Sequence, residues 1–209
     1  MRIRASLAVI LFVFAGEFAS AQKNAKNELG LLLGATLTPH LNSASVNGPL
    51  TIGTGTTFQM NYARQLMSSR SVGLYAEVPA LAIPLQTVTV PSGVAPKNYD
   101  SFFITPAIRA NFFPSARVSP WLSLGGGFSL FDESPERMDG THNTGRGTSG
   151  GAAQFGAGID IRTPIKFVFP IGLRIEMRDL YTSKPKYNLD TGGGFQHNLI
   201  MSGGLLLRF

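Results

Sequence analysis

Gly203-Gly204-Leu205-Leu206-Leu207-Arg208-Phe209 closes the chain, and the alternation of its two faces decides the fold. Counting back from Phe209 in steps of two gives Leu207, Leu205, Gly203, Met201 and Leu199, a nearly apolar row. The intervening row is Arg208, Leu206, Gly204, Ser202, Ile200 and Asn198, which is small and mixed. Successive side chains of a strand point to opposite faces, so a period of two marks a β-strand with one apolar side. Such a strand needs neighbours for its backbone groups, and the rest of the chain supplies further segments of the same kind.

Alternation and turn residues mark eight strand candidates. They run Glu28–Thr38, Thr54–Leu66, Ser71–Ala82, Asp100–Phe113, Val118–Phe131, Gly150–Thr163, Lys166–Asp179 and His197–Phe209. Each has about ten to fourteen residues, enough for a tilted strand to cross a bilayer core. Met67–Arg70, Pro114–Arg117 and the Pro164-Ile165 corner make short connections. Pro39–Gly53, Ile83–Tyr99, Asp132–Ser149 and Leu180–Gln196 make long ones. Short turns at one end and long loops at the other are the asymmetry of an up-and-down membrane barrel.

The faces sharpen this reading. In the fourth candidate Phe102, Ile104, Pro106, Ile108, Ala110 and Phe112 form one row, with Arg109 and Asn111 on the other. The seventh sets Phe167, Phe169, Ile171, Leu173, Ile175 and Met177 against Arg174, Glu176 and Arg178. The sixth sets Phe155, Ala157, Ile159 and Ile161 against Gln154, Asp160 and Arg162. A soluble barrel shows the same alternation with apolar rows inside. Here the apolar rows lack charge over their middles, and the polar rows are too rich in Gly and Ser for a solvated surface. Lipid outside is therefore expected. Tyr99, Phe102, Phe103, Phe131 and Tyr181 near the loop end are expected to form one aromatic belt. Tyr62, Phe112, Phe113, Phe167 and Phe209 near the turn end are expected to form the other. Trp121 falls on the face of Ser119 and Ser123, so Pro120 or the Gly125–Gly127 run is expected to introduce a bulge that shifts the register.

Composition excludes several classes. There is no cysteine, which removes disulfides, thiolate catalysis and Cys-zinc sites. The 24 glycines and only 14% charged residues suit glycine-rich strands more than a helical bundle. A formal charge of +6 is scattered through strands and turns, so no patch for nucleic acid forms. Arg2 and Arg4, the apolar run Ala5–Ala15 and the small residues Ala19-Ser20-Ala21 read as an export signal over residues 1–21. About 11 apolar residues fall short of the ~20 that span a bilayer as a helix. One barrel domain over residues 22–209 remains.

The paired termini, eight alternating segments, loop asymmetry, inward charges and Phe209 resemble the small bacterial outer-membrane β-barrels, similar to the OmpA transmembrane domain and OmpX. The resemblance implies an all-β, eight-stranded antiparallel up-and-down transmembrane barrel in the cell outer membrane, with short periplasmic turns and long extracellular loops. It implies that Phe209, with Leu207 and Leu205, is the assembly signal read by the barrel insertion machinery. Partners would be outer-membrane lipid, that machinery and periplasmic chaperones, with the protein a monomer. The peptidoglycan-binding domain of full-length OmpA is absent, so wall anchoring is not carried over. The implied role is structural, adhesive or weakly pore-like; the alternatives are an OmpW-like conduit for small hydrophobic molecules and a rim-site outer-membrane enzyme.

Glu77, Arg109, Asp160, Arg162, Arg174, Glu176 and Arg178, with Gln59 and Asn61, form the candidate lumen network. Opposite charges in a narrow lumen pair because leaving them unpaired and dry is costly. The set has four Arg and three acids, an expected positive excess, and acts either as a permanent plug or as a gate. Glu176 is expected to pair across to Arg162 or diagonally. His40, His142 and His197 fall at the loop rim, where Asp190 and Ser43 are conceivable partners, but no nucleophile, base and orienter converge. Asp132-Glu133 and Glu136 with Asp139 make the third loop acidic, read as a solvated cluster with at most weak cation binding. The reading assigns no catalytic residue, metal or cofactor.

Overall fold

Backbone N–H and C=O groups have no water to bond in hydrocarbon, so strands that cross it must close on themselves. In this computed structural model they do. It describes residues 26–38, 41–43, 48–89, 95–166, 169–185 and 194–209, with the side chains of 41–43, 48–50 and 166 outside the description. The elements are β1 (Asn27–Leu37), β2 (Leu41–Ser43), β3 (Gly48–Ile52), β4 (Gly55–Ser68), β5 (Val72–Thr89), β6 (Asn98–Ile104), β7 (Ala107–Phe112), β8 (Val118–Glu133), β9 (Gly147–Lys166), β10 (Pro170–Ser183) and β11 (Phe195–Arg208). The ring runs β1, β4, β5, then β6 and β7 together, β8, β9, β10 and β11. It closes where β11 pairs antiparallel with β1, from Glu28 opposite Arg208 to Leu37 opposite Leu199. Phe209 and Asn27 add two reciprocal backbone bonds of 2.9 Å at that seam. The barrel thus has eight staves, as the alternation indicates.

β6 and β7 are one expected strand broken at Thr105-Pro106. Pro106 has no N–H to give. Its carbonyl instead accepts from Gly126 N at 3.0 Å, while Thr105 N donates to Pro79 O at 3.2 Å. The facing Gly run allows this close approach. A Cβ on Gly127 would sit 1.9 Å from the Ile104 carbonyl oxygen. β8 and β9 stay in register from Val118 opposite Ile161 to Asp132 opposite Gly147, so the bulge expected near Trp121 is absent and the glycines serve packing. Gly127→Ala is accordingly expected to cost about 1–3 kcal/mol, as overpacking does. Gly151→Ala, with nothing within 4 Å of its Cβ position, is expected to be neutral. Equal unfolding midpoints for these two variants in detergent would refute the argument.

Several strand ends move outward from their sequence positions. β5 runs to Thr89, past the expected Ala82, with a register shift between Ile83 and Gln86 beside Pro84. The Pro164-Ile165 corner lies inside β9, which runs on to Lys166 before β10 starts at Pro170. Within the first long connection β2 pairs with β3, whose Thr51 and Ile52 pair with Thr89 and Val88 of β5. The loop end therefore carries sheet that rises above the main ring.

The outer wall is apolar. Leu33, Ile108, Leu124, Phe155, Ile175 and Met201 are all more than half exposed, while Arg109, Arg174 and Arg178 are buried. A water-soluble protein does not turn its large aliphatics out and its guanidiniums in. The surface is one built for lipid.

The lumen as candidate functional site

Inward positions alternate along every stave, so the lumen's contents follow from which residues share that parity and depth. Two layers result. The layer nearer the turn end is ionic; the layer nearer the loop end is apolar.

In the ionic layer β5 supplies Glu77, whose Oε1 accepts from Arg109 Nη1 at 3.0 Å and Arg174 Nη1 at 3.1 Å. Its Oε2 accepts from Arg178 Nη2 at 3.1 Å. Asp160 on β9 takes Arg174 in a two-pronged grip, Nε at 2.7 Å and Nη2 at 2.9 Å. Such fork-to-fork geometry is the strongest form of this pair. Asp160 also accepts from Trp121 Nε1 at 3.2 Å and Asn111 Nδ2 at 3.1 Å. Glu176 accepts from Arg178 Nε at 2.5 Å, from Gln59 Nε2, and from Asn61 Nδ2 at 3.2 Å. Glu28 on β1 pairs with Arg109 and takes Arg208 Nε at 2.9 Å.

Six of the seven expected network residues thus converge: Glu77, Arg109, Asp160, Arg174, Glu176 and Arg178. Arg162 does not. It shares their parity but sits four residues from Gly158, at the turn-end rim, where it is exposed and donates to the Pro114 carbonyl. Glu176 therefore pairs with Arg178 and not with Arg162. Glu28 and Arg208, directly opposite each other across the seam, take part instead. With them the layer holds four guanidiniums and four carboxylates, so the expected positive excess is absent.

Trp121 lies in the middle of this layer, 1% exposed. Its ring centroid is 5.1 Å from the Arg174 guanidinium, 5.2 Å from that of Arg178 and 5.7 Å from that of Arg109. Arg109 also stacks over Tyr75 at 4.6 Å. Cation–π attraction strengthens when both partners are dry. The indole fits because β9 is bare opposite it: a Cβ on Gly158 would lie 2.6 Å from Trp121 Cζ2. Trp121 does not break the barrel pattern; it is an interior residue, detectable by its parity with Ser119 and Ser123.

Above this layer Leu81, Ile83, Phe103, Phe131, Leu180 and Ile200 pack together with Val88 and Tyr99. Phe103 meets Phe131 edge-on at 5.7 Å, and Tyr99 meets Phe131 at 6.1 Å. Tyr99, Phe103 and Phe131 are therefore interior fillers, not members of the expected loop-side belt; nearness to a strand end hid their parity. Phe102 and Tyr181 do face outward. On the turn side Phe209 is buried with its ring 5.7 Å from Phe169, Leu205 is exposed, and Phe167 lies outside the described residues.

The rim residues separate. His197 Nδ1 lies 2.7 Å from Asp179 Oδ2 on the outer face, its ring 4.9 Å from Tyr181. His142 is exposed in the third long connection. His40, Asp190 and the Ser43 side chain lie outside the described residues. The acids of the third loop are partnered: Arg146 bonds Asp132, Lys97 of the neighbouring connection bonds Glu136, Asn143 donates to Glu133 and Thr141 to Asp139. The Lys97 ammonium, donating to Glu136, holds that carboxyl below its ordinary value.

No protein-family model matches the chain, and no curated protein matches it in sequence. Solved structures do. Neisserial surface protein A aligns with a TM-score of 0.53 at 12% identity, over 88% of this chain and 96% of that one. Ail, the attachment invasion locus protein of Yersinia pestis, in complex with the heparin analogue sucrose octasulfate, aligns at 0.46 and 16% identity, over 88% and 99%. Outer membrane protein AlkL, in lipid bilayers, aligns at 0.48 and 15% identity, over 91% and 93%. At such identities the likeness speaks to architecture. The chain has the fold of the small eight-stranded outer-membrane β-barrels.

Proposed function

We propose that the protein is an integral outer-membrane barrel with a sealed lumen, monomeric, whose role is structural or adhesive and is carried by the sheet and loops above the bilayer. The observation that carries this is the double plug: a charge-balanced ionic layer of buried groups beneath an apolar layer of buried side chains. An ion meeting such a path must break several buried pairs and then shed its water beside aromatic rings. Refolded protein in a planar bilayer is expected to show no steady conductance. Glu176→Gln is expected to lower the unfolding midpoint without opening one. A steady ionic current through that variant at an unchanged midpoint would make the lumen a gate and sink the proposal.

The conduit reading has one point in its favour, the apolar upper layer. Those side chains fill the layer themselves, which supports a core more than a passage. The enzyme reading has the His197–Asp179 pair, and lipid or peptide turnover by the purified barrel is its test. Phe209 is proposed as the assembly signal. Phe209→Ala leaves the backbone bonds to Asn27 in place, so it is expected to reduce membrane-inserted protein in cells more than it lowers the midpoint of purified barrel. Wild-type levels of heat-modifiable protein in the membrane would count against that role.

A further inference from the structure

The exposed charges divide by end. At the turn-end rim Lys26, Arg64, Arg70, Arg117 and Arg162 are all exposed; they lie just before β1, in β4, in the β4–β5 turn, just before β8 and in β9. Register places the backbone of Lys166 at the same rim, opposite Pro170. The acidic side chains nearest that end, Glu28 and Glu77, are buried in the lumen and already held by arginines. Every other described acid lies in the lumen or at the loop end, where Asp100, Asp132, Glu136, Asp139 and Asp179 are mixed with Lys97, Arg137, Arg146 and Lys184. Among the described residues the turn-end rim is therefore a ring of cations without an exposed acidic side chain.

Such a ring repels itself, and a chain with ordinary mixed surfaces elsewhere gains nothing from it in water. It gains where negative charge is supplied from outside. Arg64 continues the outward row of Phe58, Met60 and Tyr62, so its stem lies on the lipid wall and its guanidinium reaches to the edge. Tyr62 and Phe112 are half-buried at the same level. The cations thus stand at headgroup height, at the end where β1 starts and β11 finishes. In the outer-membrane reading proposed above, this short-turn end faces the periplasm.

We infer that this rim binds the phosphates of anionic glycerophospholipids in the periplasmic leaflet, and that the ring fixes the barrel's depth and preferred lipid neighbours. A Lys or Arg near an anionic surface is worth about 1 kcal/mol, or roughly fivefold in association. The inference rests on the membrane reading for orientation only; if that reading fails, no variant shows a heat-modifiable band, whereas failure of the inference leaves the band intact.

The experiment reconstitutes the full chain in phosphatidylcholine vesicles and measures, with spin-labelled lipids, the relative association of phosphatidylglycerol and phosphatidylcholine with the barrel wall. Wild-type protein is expected to prefer phosphatidylglycerol several-fold at low salt. The preference is expected to fade as the screening length shrinks from about 30 Å at 0.01 M to about 8 Å at 0.15 M. R64Q/R70Q/R117Q is expected to lose most of it, and R64K/R70K/R117K to keep it. No preference in wild type, or one that survives in the Gln variant, overturns the inference. So does binding of soluble polyphosphate to detergent-solubilised protein without any lipid preference, which would make the partner a periplasmic polyanion.

Discussion

Glu77→Gln is expected to destabilise the barrel by about 3–5 kcal/mol, the cost of removing one partner from a buried ion network. Glutamine has the same shape, so no cavity opens and the loss is electrostatic. Glu77 is where three guanidiniums meet, those of Arg109, Arg174 and Arg178, and its side chain is fully buried. Neutralising it leaves the ionic layer with four cations and three acids, all of them buried or nearly so. Urea titration of the detergent-refolded variant reads the effect. The control is Arg146→Gln, which breaks the Asp132 pair at the loop end, where both side chains are 40% exposed or more. Exposed pairs contribute about 0–1 kcal/mol. Equal shifts for the two variants would mean that the ionic layer does not hold the staves together.

Ile175→Arg should cost about 2–4 kcal/mol, the penalty for a cation on the lipid face near the bilayer midplane. Ile175 is 62% exposed and lies midway along the outward row of β10, between Leu173 and Met177. The comparison is Leu85→Arg, inside the register shift of β5 toward the loop end. There the expected cost is about 0–1 kcal/mol, since charge near the interface keeps its water. If both positions accept Arg equally in lipid, the apolar wall does not face hydrocarbon, and the barrel is a soluble one with unusual faces.

Parity was the legible part of this chain. It placed Arg174, Glu176 and Arg178 on one face and Ile171, Leu173, Ile175 and Met177 on the other, and both rows stand as read. Depth was the illegible part. Arg162 has the right parity but the wrong height, and only the stagger of β9 against β10 reveals that. Glu28 and Arg208 lie at strand ends, where alternation has too few neighbours to fix a phase, and only ring closure sets them opposite each other. Tyr99, Phe103 and Phe131 lie near strand ends, which suggests an interface belt for aromatics in general, but their own rows put them inside. The split at Pro106 was readable in principle, because proline cannot donate within a ladder. What alternation cannot supply is the partner of an inward side chain, since neighbours across the lumen come from staves distant in sequence. Trp121 and Asp160 are 39 residues apart, and Glu77 and Arg178 are 101 apart.

The position of Trp121 also makes the protein its own reporter. It is the only tryptophan in the chain. Its indole sees no lipid and almost no solvent, and its nearest polar company is one carboxylate and three guanidiniums. Tryptophan fluorescence, excited apart from the five tyrosines, therefore reads the state of the plug. Brominated acyl chains, which quench by contact from the bilayer side, leave the emission of an intact barrel untouched. Water or a small quencher entering the lumen shifts and dims it at once. A spectrum recorded while a candidate ligand, a voltage or a denaturant is applied thus separates opening of the interior from loosening of the wall, without any label.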